Sequence, residues 1–307
     1  MSNETEKSDV ADAQEKMEGL KMDGNAKEIQ WPVKKRDFHN HHFNSTMWDG
    51  FDFRDDDIVV STYAKSGTTW TQQILSQMIY DGAEDLPVAD MSPWVDRRVP
   101  PKEVKIPQIN AMTTRRFLKS HLPVDALVFS PKAKYIYIAR DGRDVCWSMH
   151  NHHYNANDMW YNALNGPGLV GEPIPRISGD VLEFYKGWIE KDGYPWWPFW
   201  ENIKTWWEIR HLPNVMFLHF NDLKKDMEGQ MRRIANFLDI TINEAKWETI
   251  VKHCTFDYMK KVRHSFVIDR PEAMHYVTHS FYRWYKINFL PFLHLHHLHL
   301  FSFTHCT

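Results

Sequence analysis

The chain is short of several things, and each shortage excludes something. It has three cysteines in 307 residues, Cys146, Cys254 and Cys306. They are scattered and odd in number, which argues against a disulfide framework and for a reducing compartment, so a cytoplasmic location is expected. Charge of one sign is not in excess: the formal net charge is −3. No general attraction to nucleic acid or to a membrane surface follows from that balance. The N-terminus lacks the apolar core of a secretory signal, and no uninterrupted apolar run reaches the ~20 residues of a membrane span. A Walker A loop is also missing. That motif places its lysine directly after its second glycine, whereas here Lys65 comes two residues before the only glycine of its loop, Gly67. No metal-ligand spacing stands out. His39, His41 and His42 cluster in sequence, but packing or solvated histidines are the expected reading.

What is present is enough apolar material for a core, 43% of residues, with 14 Trp, 18 Phe and 12 Tyr. That aromatic content fits either an aromatic-lined pocket or an aromatic core. The most informative stretch is Ser61-Thr62-Tyr63-Ala64-Lys65-Ser66-Gly67-Thr68-Thr69-Trp70. The β-branched run Ile58-Val59-Val60 before it reads as a buried strand. After it, Ile74, Leu75, Met78 and Ile79 recur at helical spacing. A strand, a tight loop and a helix start point main-chain N–H groups and the positive helix end at one spot, which suits a phosphate. Lys65 adds a charge, and Gly67 lets the main chain come close.

Further along, Arg116-Phe117-Leu118-Lys119-Ser120-His121-Leu122-Pro123 reads as a short strand running into a loop. Lys119 and His121 are two apart and so share a face. Tyr135 to Ala139 is a β-rich apolar strand. Arg140 follows at its carboxyl end, where ligands bind in open α/β sheets. A helix is expected from Asp141 or Gly142, with Asp144 near its positive end and Ser148 about two turns in. The proline-rich residues 81–114 are expected to be irregular, with one short helix. In residues 155–200, rich in Gly, Pro and Trp, part is expected to form a lid. Phe199 to Glu208 reads as a helix and Val215 to Phe220 as a strand. Asp222 is expected to cap one amphipathic helix from Leu223 to Leu238, and Ile242 to Cys254 is expected to be helical. The whole predicts an α/β fold: a P-loop-like single domain with a mostly parallel central sheet flanked by helices. Its boundaries are read as a disordered tail over 1–28, one domain over 29–283, and a divergent His/Leu-rich tail over 284–307.

These strings resemble the cytosolic sulfotransferases, which use PAPS (3′-phosphoadenosine 5′-phosphosulfate). The family's loop is Thr-Tyr-Pro-Lys-Ser-Gly-Thr-Thr-Trp, and this chain departs only at Ala64. The family's Lys-Thr-His-Leu-Pro is Lys-Ser-His-Leu-Pro here. Its Arg and a Ser eight residues later match Arg140 and Ser148. Its Tyr-Glu-Asp-Leu is Phe220-Asn221-Asp222-Leu223, so a ring remains without its hydroxyl. The resemblance implies His121 as general base, with Lys65 on the leaving phosphate oxygen and Lys119 on the sulfuryl oxygens. It implies Ser66, Gly67, Thr68 and Thr69 around the 5′-phosphate, and Trp70 and Phe256 sandwiching adenine with Phe220 nearby. Arg140, Ser148 and Arg283 would hold the 3′-phosphate. No metal is implied: sulfuryl transfer moves less charge than phosphoryl transfer.

The resemblance stops after Arg283. The family's Lys-Gly-x-x-Gly-Asp-Trp-Lys arm over the 3′-phosphate, and its dimer segment Lys-x-x-x-Thr-Val-x-x-x-Glu, have no counterpart in Trp284-Tyr285-Lys286 and the Leu/His repeats that follow. The expected function is therefore sulfuryl transfer from PAPS to a hydroxyl or amine of a small apolar acceptor such as a phenol or steroid. The alternative is a catalytically weak or inactive PAPS- or PAP-binding protein (PAP being the desulfated product) that lacks the 3′-phosphate arm. An ATP- and Mg²⁺-dependent kinase is disfavoured by the lysine position. A small-molecule acceptor is the expected partner, with no nucleic acid and no membrane; a homodimer stays open.

Overall fold

A computed structural model describes residues 29–262, and the elements below lie in one compact unit that begins at Pro32. Arg283, the residues of the 1–28 and 284–307 tails, and Cys306 lie outside the described residues. Cys146 and Cys254 are buried free thiols.

Four strands form the central sheet: β1 Ile58–Thr62, β2 Phe117–Ser120, β3 Lys134–Ala139 and β4 Val215–His219, in the order β2-β1-β3-β4 and all parallel. Parallel neighbours need a crossover between them. The helices are α1 Thr68–Ile79, α2 Val88–Met91, α3 Lys102–Asn110, α4 Gly142–Tyr154, α5 Asp158–Asn165, α6 Val181–Glu190, α7 Phe199–Glu208, α8 Phe220–Lys225, α9 Met227–Phe237, α10 Trp247–His253 and α11 Phe256–Lys261; α1–α3 link β1 to β2, α4–α7 link β3 to β4, and α8–α11 follow β4.

Strand alternation sorts the two faces of the sheet. Ile136 and Ile138 join Ile58, Val60, Ile74, Leu75, Leu223, Met231 and Ile234 in one core. Tyr135 and Tyr137 point the other way, onto α7. Tyr137 stacks on Trp206 at 5.2 Å, and its hydroxyl meets Asn202 Oδ1 at 2.9 Å. Both layers are needed, because an all-parallel sheet is covered on both faces. At the amino ends of the strands, Arg116 lies across Asp57, donating from Nε to Oδ1 at 2.6 Å with both side chains fully buried. This pair joins the entrances to β1 and β2 at the end of the sheet opposite the loop that carries Lys65.

Several elements differ from the sequence-based expectation. The single helix expected over Leu223–Leu238 is two helices. The chain turns helical at Phe220 itself, with His219 as the cap, and breaks at Asp226, where φ is −145°. The Asp226 carboxylate accepts from Gly229 N at 2.9 Å, so a local side-chain bond replaces the continuing helical ladder. Residues 81–114 hold two helices rather than one, the second with Pro107 inside it. Lys105 anchors that second helix by donating to the carbonyls of Val95, at 3.2 Å, and Arg97. Residues 155–200, of which part was expected to form a lid, contain α5 and α6. Over Ile242–Cys254 there is a 3₁₀ turn, Glu244–Lys246, followed by α10. By contrast, α7 has the expected bounds, and α4 starts at Gly142 with Asp141 capping Arg143 N.

Candidate active site

The carboxyl ends of β1, β2 and β3 bring the candidate residues together. β1 stops at Thr62, and the chain turns through Lys65 (φ 67°) and Gly67 (φ 123°) into α1. Positive φ is unfavourable for a residue with a Cβ, and at Gly67 space is also closed: a Cβ there would meet Phe220 Cδ2 at 3.0 Å. The first-turn N–H groups of α1 have no intrahelical acceptor. They and the helix dipole face the loop, an arrangement suited to an anion. Thr62 Oγ1 and Thr68 Oγ1, 2.7 Å apart, lace the loop across its base, and Tyr63 Oη donates to Trp197 O at 2.7 Å.

His121 sits one residue beyond β2. Its Nδ1 donates to the carbonyl of Thr62 at 2.6 Å. A carbonyl only accepts, so this bond fixes the proton on Nδ1 and leaves Nε2 as the basic nitrogen. Burial, helped by Lys119 and Lys65, holds the imidazole well below its ordinary pKa, so it is neutral at pH 7. Asn202 Nδ2 donates to His121 O at 3.0 Å, which ties this loop to α7.

Lys65 and Lys119 are part-buried. Burial and Arg140 lower the Lys65 ammonium to about 8. Burial, then Arg97 and Lys65, lower Lys119 to about 7, against the opposing pull of Asp96. Like charges held in partial burial disfavour the charged form, and an anion placed among them relieves that. Arg140 ends β3 as expected. Its Nη1 donates to Lys65 O at 3.1 Å, and its guanidinium lies 4.3 Å over the Phe220 ring. Ser148 is buried on α4.

The two rings expected to sandwich adenine touch each other. Trp70 is fixed by Nε1 donating to Cys254 O at 2.8 Å, and its ring centroid is 4.4 Å from that of Phe256. A planar ring between them needs about 7 Å at van der Waals separation on both faces. The two rings pack on each other here, so a base stacked between them requires Phe256 to swing aside. Phe220 is 3% exposed and lies beneath Arg140 and Gly67, where it shapes the loop from below.

Sequence reasoning missed three residues around His121. Trp94 stands edge-on to the His121 ring at 4.9 Å, Trp197 lies 6.0 Å from it, and Phe43 6.4 Å. Beyond them, His42 contacts Trp196 at 4.4 Å and Trp160 at 5.6 Å. Nothing periodic marks these rings in the sequence; they converge from separate loops. His41 and His42 are buried in this wall. His41 is lowered to about 4 by burial, and its Nε2 pairs with Pro195 O at 2.9 Å. Among the described residues, no group of three His, Cys, Asp or Glu side chains is placed to hold a metal ion.

A parallel sheet ending in an anion-cradling strand–loop–helix, with two lysines and a neutral histidine beside it, defines an α/β group-transfer enzyme of P-loop-like build. The family is the sulfotransferases: the sulfotransferase domain matches residues 55–285, and the chain belongs to it. A glycolipid sulfotransferase of Mycobacterium bovis is 28% identical over 266 residues, covering 78% of this chain and 80% of its own. Rat sulfotransferase 1A1 is 32% identical, over 71% of this chain and 69% of its own. The crystal structure of retinol dehydratase, in complex with androsterone and inactive cofactor PAP, superposes with a TM-score of 0.55 at 22% identity, covering 79% of this chain and 83% of that one, and shows the shared fold. The protein is thus a PAPS-dependent sulfotransferase by class. Among the described residues, no helix is long and apolar enough to cross a membrane.

Proposed function

We propose that this enzyme transfers the sulfuryl group of PAPS to a hydroxyl, or an amine, of a small apolar acceptor such as a phenol or steroid. The observation that carries the reading is the bond from His121 Nδ1 to Thr62 O, which turns the basic Nε2 of a neutral imidazole to the acceptor's use. His121 takes the acceptor proton, and the acceptor oxygen attacks sulfur in line. The bond from sulfur to the bridging oxygen breaks, and PAP leaves. Lys65 stabilises that oxygen and Lys119 the sulfuryl oxygens. Fixed charge of this kind is often the largest catalytic contribution. Ser66, Gly67, Thr68 and Thr69 cradle the 5′-phosphate, and Arg140 with Ser148 and Arg283 receives the 3′-phosphate, the arginine through its planar fork. The adenine lies against Trp70, with Phe256 closing over it.

The acceptor class is supported by the ring wall of Phe43, Trp94, Trp196 and Trp197, which suits a flat apolar body. Androsterone, bound by the structural neighbour above, has such a body. The indole Nε1 atoms of Trp196 and Trp197 are buried without a hydrogen-bond partner among the described residues. Each favours an acceptor molecule that brings an oxygen to it.

The test is transfer from radiolabelled PAPS to a panel of phenols, sterols, simple alcohols and amines, with PAP titrated by calorimetry. His121→Ala should lose turnover and keep PAP binding. A folded His121→Ala protein that no longer binds PAP removes the histidine from the base role. PAP binding by the wild type without transfer to any acceptor class favours the inactive binder instead.

A further inference from the structure

Apart from the Trp94 ring, the turn between Trp94 and Arg98 has no part in the reading above, yet it holds a buried charge against the reacting centre. Asp96 is fully buried. Its Oδ1 accepts from Trp48 Nε1 at 3.1 Å, and its Oδ2 accepts from Trp94 Nε1 at 2.8 Å and from the main-chain N of His121 at 3.3 Å. Trp48 is itself fully buried, so one oxygen is anchored in the core while the other ties the Trp94 ring and the His121 main chain together. The Trp94 ring is in turn a seat for both reacting side chains. Lys119 Nζ lies 4.4 Å from its centroid, and the His121 ring meets it at 4.9 Å. The main chain repeats the link, with Lys119 N donating to Pro93 O at 3.0 Å and Val95 N to Lys119 O at 3.1 Å.

A buried carboxylate is expensive unless it is hydrogen-bonded and matched by a cation. Three N–H donors meet the first need. The cations that interact with Asp96 are Lys119 and Lys105, and it favours the charged form of each. Lys119 otherwise faces Arg97, Lys65 and the His121 ring. Asp96 is therefore the negative partner in a cluster that is otherwise cationic.

We propose that Asp96 is a positioning residue for sulfuryl transfer: it fixes the Trp94 ring under Lys119, holds the His121 main chain, and supplies a counter-charge to the cationic form of Lys119. The inference rests on the role given to Lys119 above.

Asp96→Asn keeps the shape, removes the charge and, because its NH2 cannot accept, gives up the bonds at one of the two oxygens. It should lower kcat by about tenfold to a hundredfold. It should also move the basic limb of kcat/KM for PAPS about one unit toward acid, because an opposite charge at close range is worth one unit or more. Trp48→Phe removes a donor to the same carboxylate without touching Trp94, so it should lower the melting temperature and leave the limb in place. An unmoved limb in folded Asp96→Asn overturns the proposal, as does an equal shift in Trp48→Phe. Should Asp96→Asn not fold, Trp94→Phe decides: it keeps the ring and cuts the tie. A tenfold loss of kcat with the limb unmoved supports the proposal, and wild-type kcat overturns it. Lys119→Met separates the two readings. If it turns over normally, the role of Lys119 itself fails. If it is inactive and binds PAP while Asp96→Asn behaves as wild type, only the inference about Asp96 fails.

Discussion

Arg140 Nη1 donates to the main-chain carbonyl of Lys65 at 3.1 Å, so the residue that ends β3 braces the loop that ends β1. The same guanidinium covers the Phe220 ring and approaches Asp144 Oδ2 at 3.3 Å. A residue assigned to one phosphate of the nucleotide thus also supports the loop assigned to the other.

That dual position makes Arg140→Ala informative. Loss of a charge-assisted contact to the 3′-phosphate should weaken PAP by about 2 kcal/mol, roughly thirtyfold. Adenosine 5′-phosphosulfate, which has no 3′-phosphate, should weaken much less, and only through the lost brace. Calorimetric titration of both ligands checks this. Equal weakening would make Arg140 a brace for the loop and nothing more.

Gly67→Ala tests the loop itself. At φ 123°, with Phe220 Cδ2 3.0 Å from the position of a Cβ, alanine has neither the backbone freedom nor the space. Strain of about 1–3 kcal/mol is expected, read as a lower melting temperature and at least tenfold weaker PAP binding. An alanine variant with wild-type melting and affinity would mean that the loop has another conformation.

Much of this arrangement could be read from the sequence, for local reasons. Ile58-Val59-Val60 and Tyr135 to Ala139 are strands because β-branched and aromatic residues fill both faces of a covered sheet. Gly67 and Lys65 mark a turn that only a strand–loop–helix junction needs. Arg140 and Ser148 follow from one strand end and one helix. What escaped were the features made by distant segments. Trp94, Asp96, Trp197 and Phe43 come from three loops and meet only once the sheet has formed, so no spacing announces them. The break at Asp226 escaped for a different reason. Gly229 and the Asp226 carboxylate offer a capping bond that competes with a helix of good amphipathic pattern, and the pattern alone does not show which wins. The contact of Trp70 with Phe256 is a third kind of case: the residue types suggest a stacked base, but the two rings pack on each other, tilted by 44°.

The electrostatics of the site predict opposite pH trends for stability and for capture of PAPS. Lys119 is lowered to about 7 and Lys65 to about 8, each first by burial. Both folded values lie below the ordinary value for lysine. Between about 7 and 10, therefore, the unfolded chain binds more protons than the folded one, and these two groups make the ligand-free protein more stable as pH rises. On the roles proposed above, capture of PAPS uses both charged lysines, so kcat/KM for PAPS should be level below about 7 and fall above it. The acid limb should lie well below 6.5, where His121 takes up a proton. A bound anion raises both lysines, so kcat should hold to higher pH than kcat/KM. Thermal unfolding with and without PAP from pH 6 to 9 checks the pair of trends. The stabilisation given by PAP should shrink above about 8, where PAP affinity should fall by up to tenfold per pH unit as Lys65 loses its proton; Lys119, assigned to the sulfuryl group that PAP lacks, adds little to it. PAP affinity that stays constant from pH 6 to 9 would mean that Lys65 does not titrate there, and that the loop holds it charged.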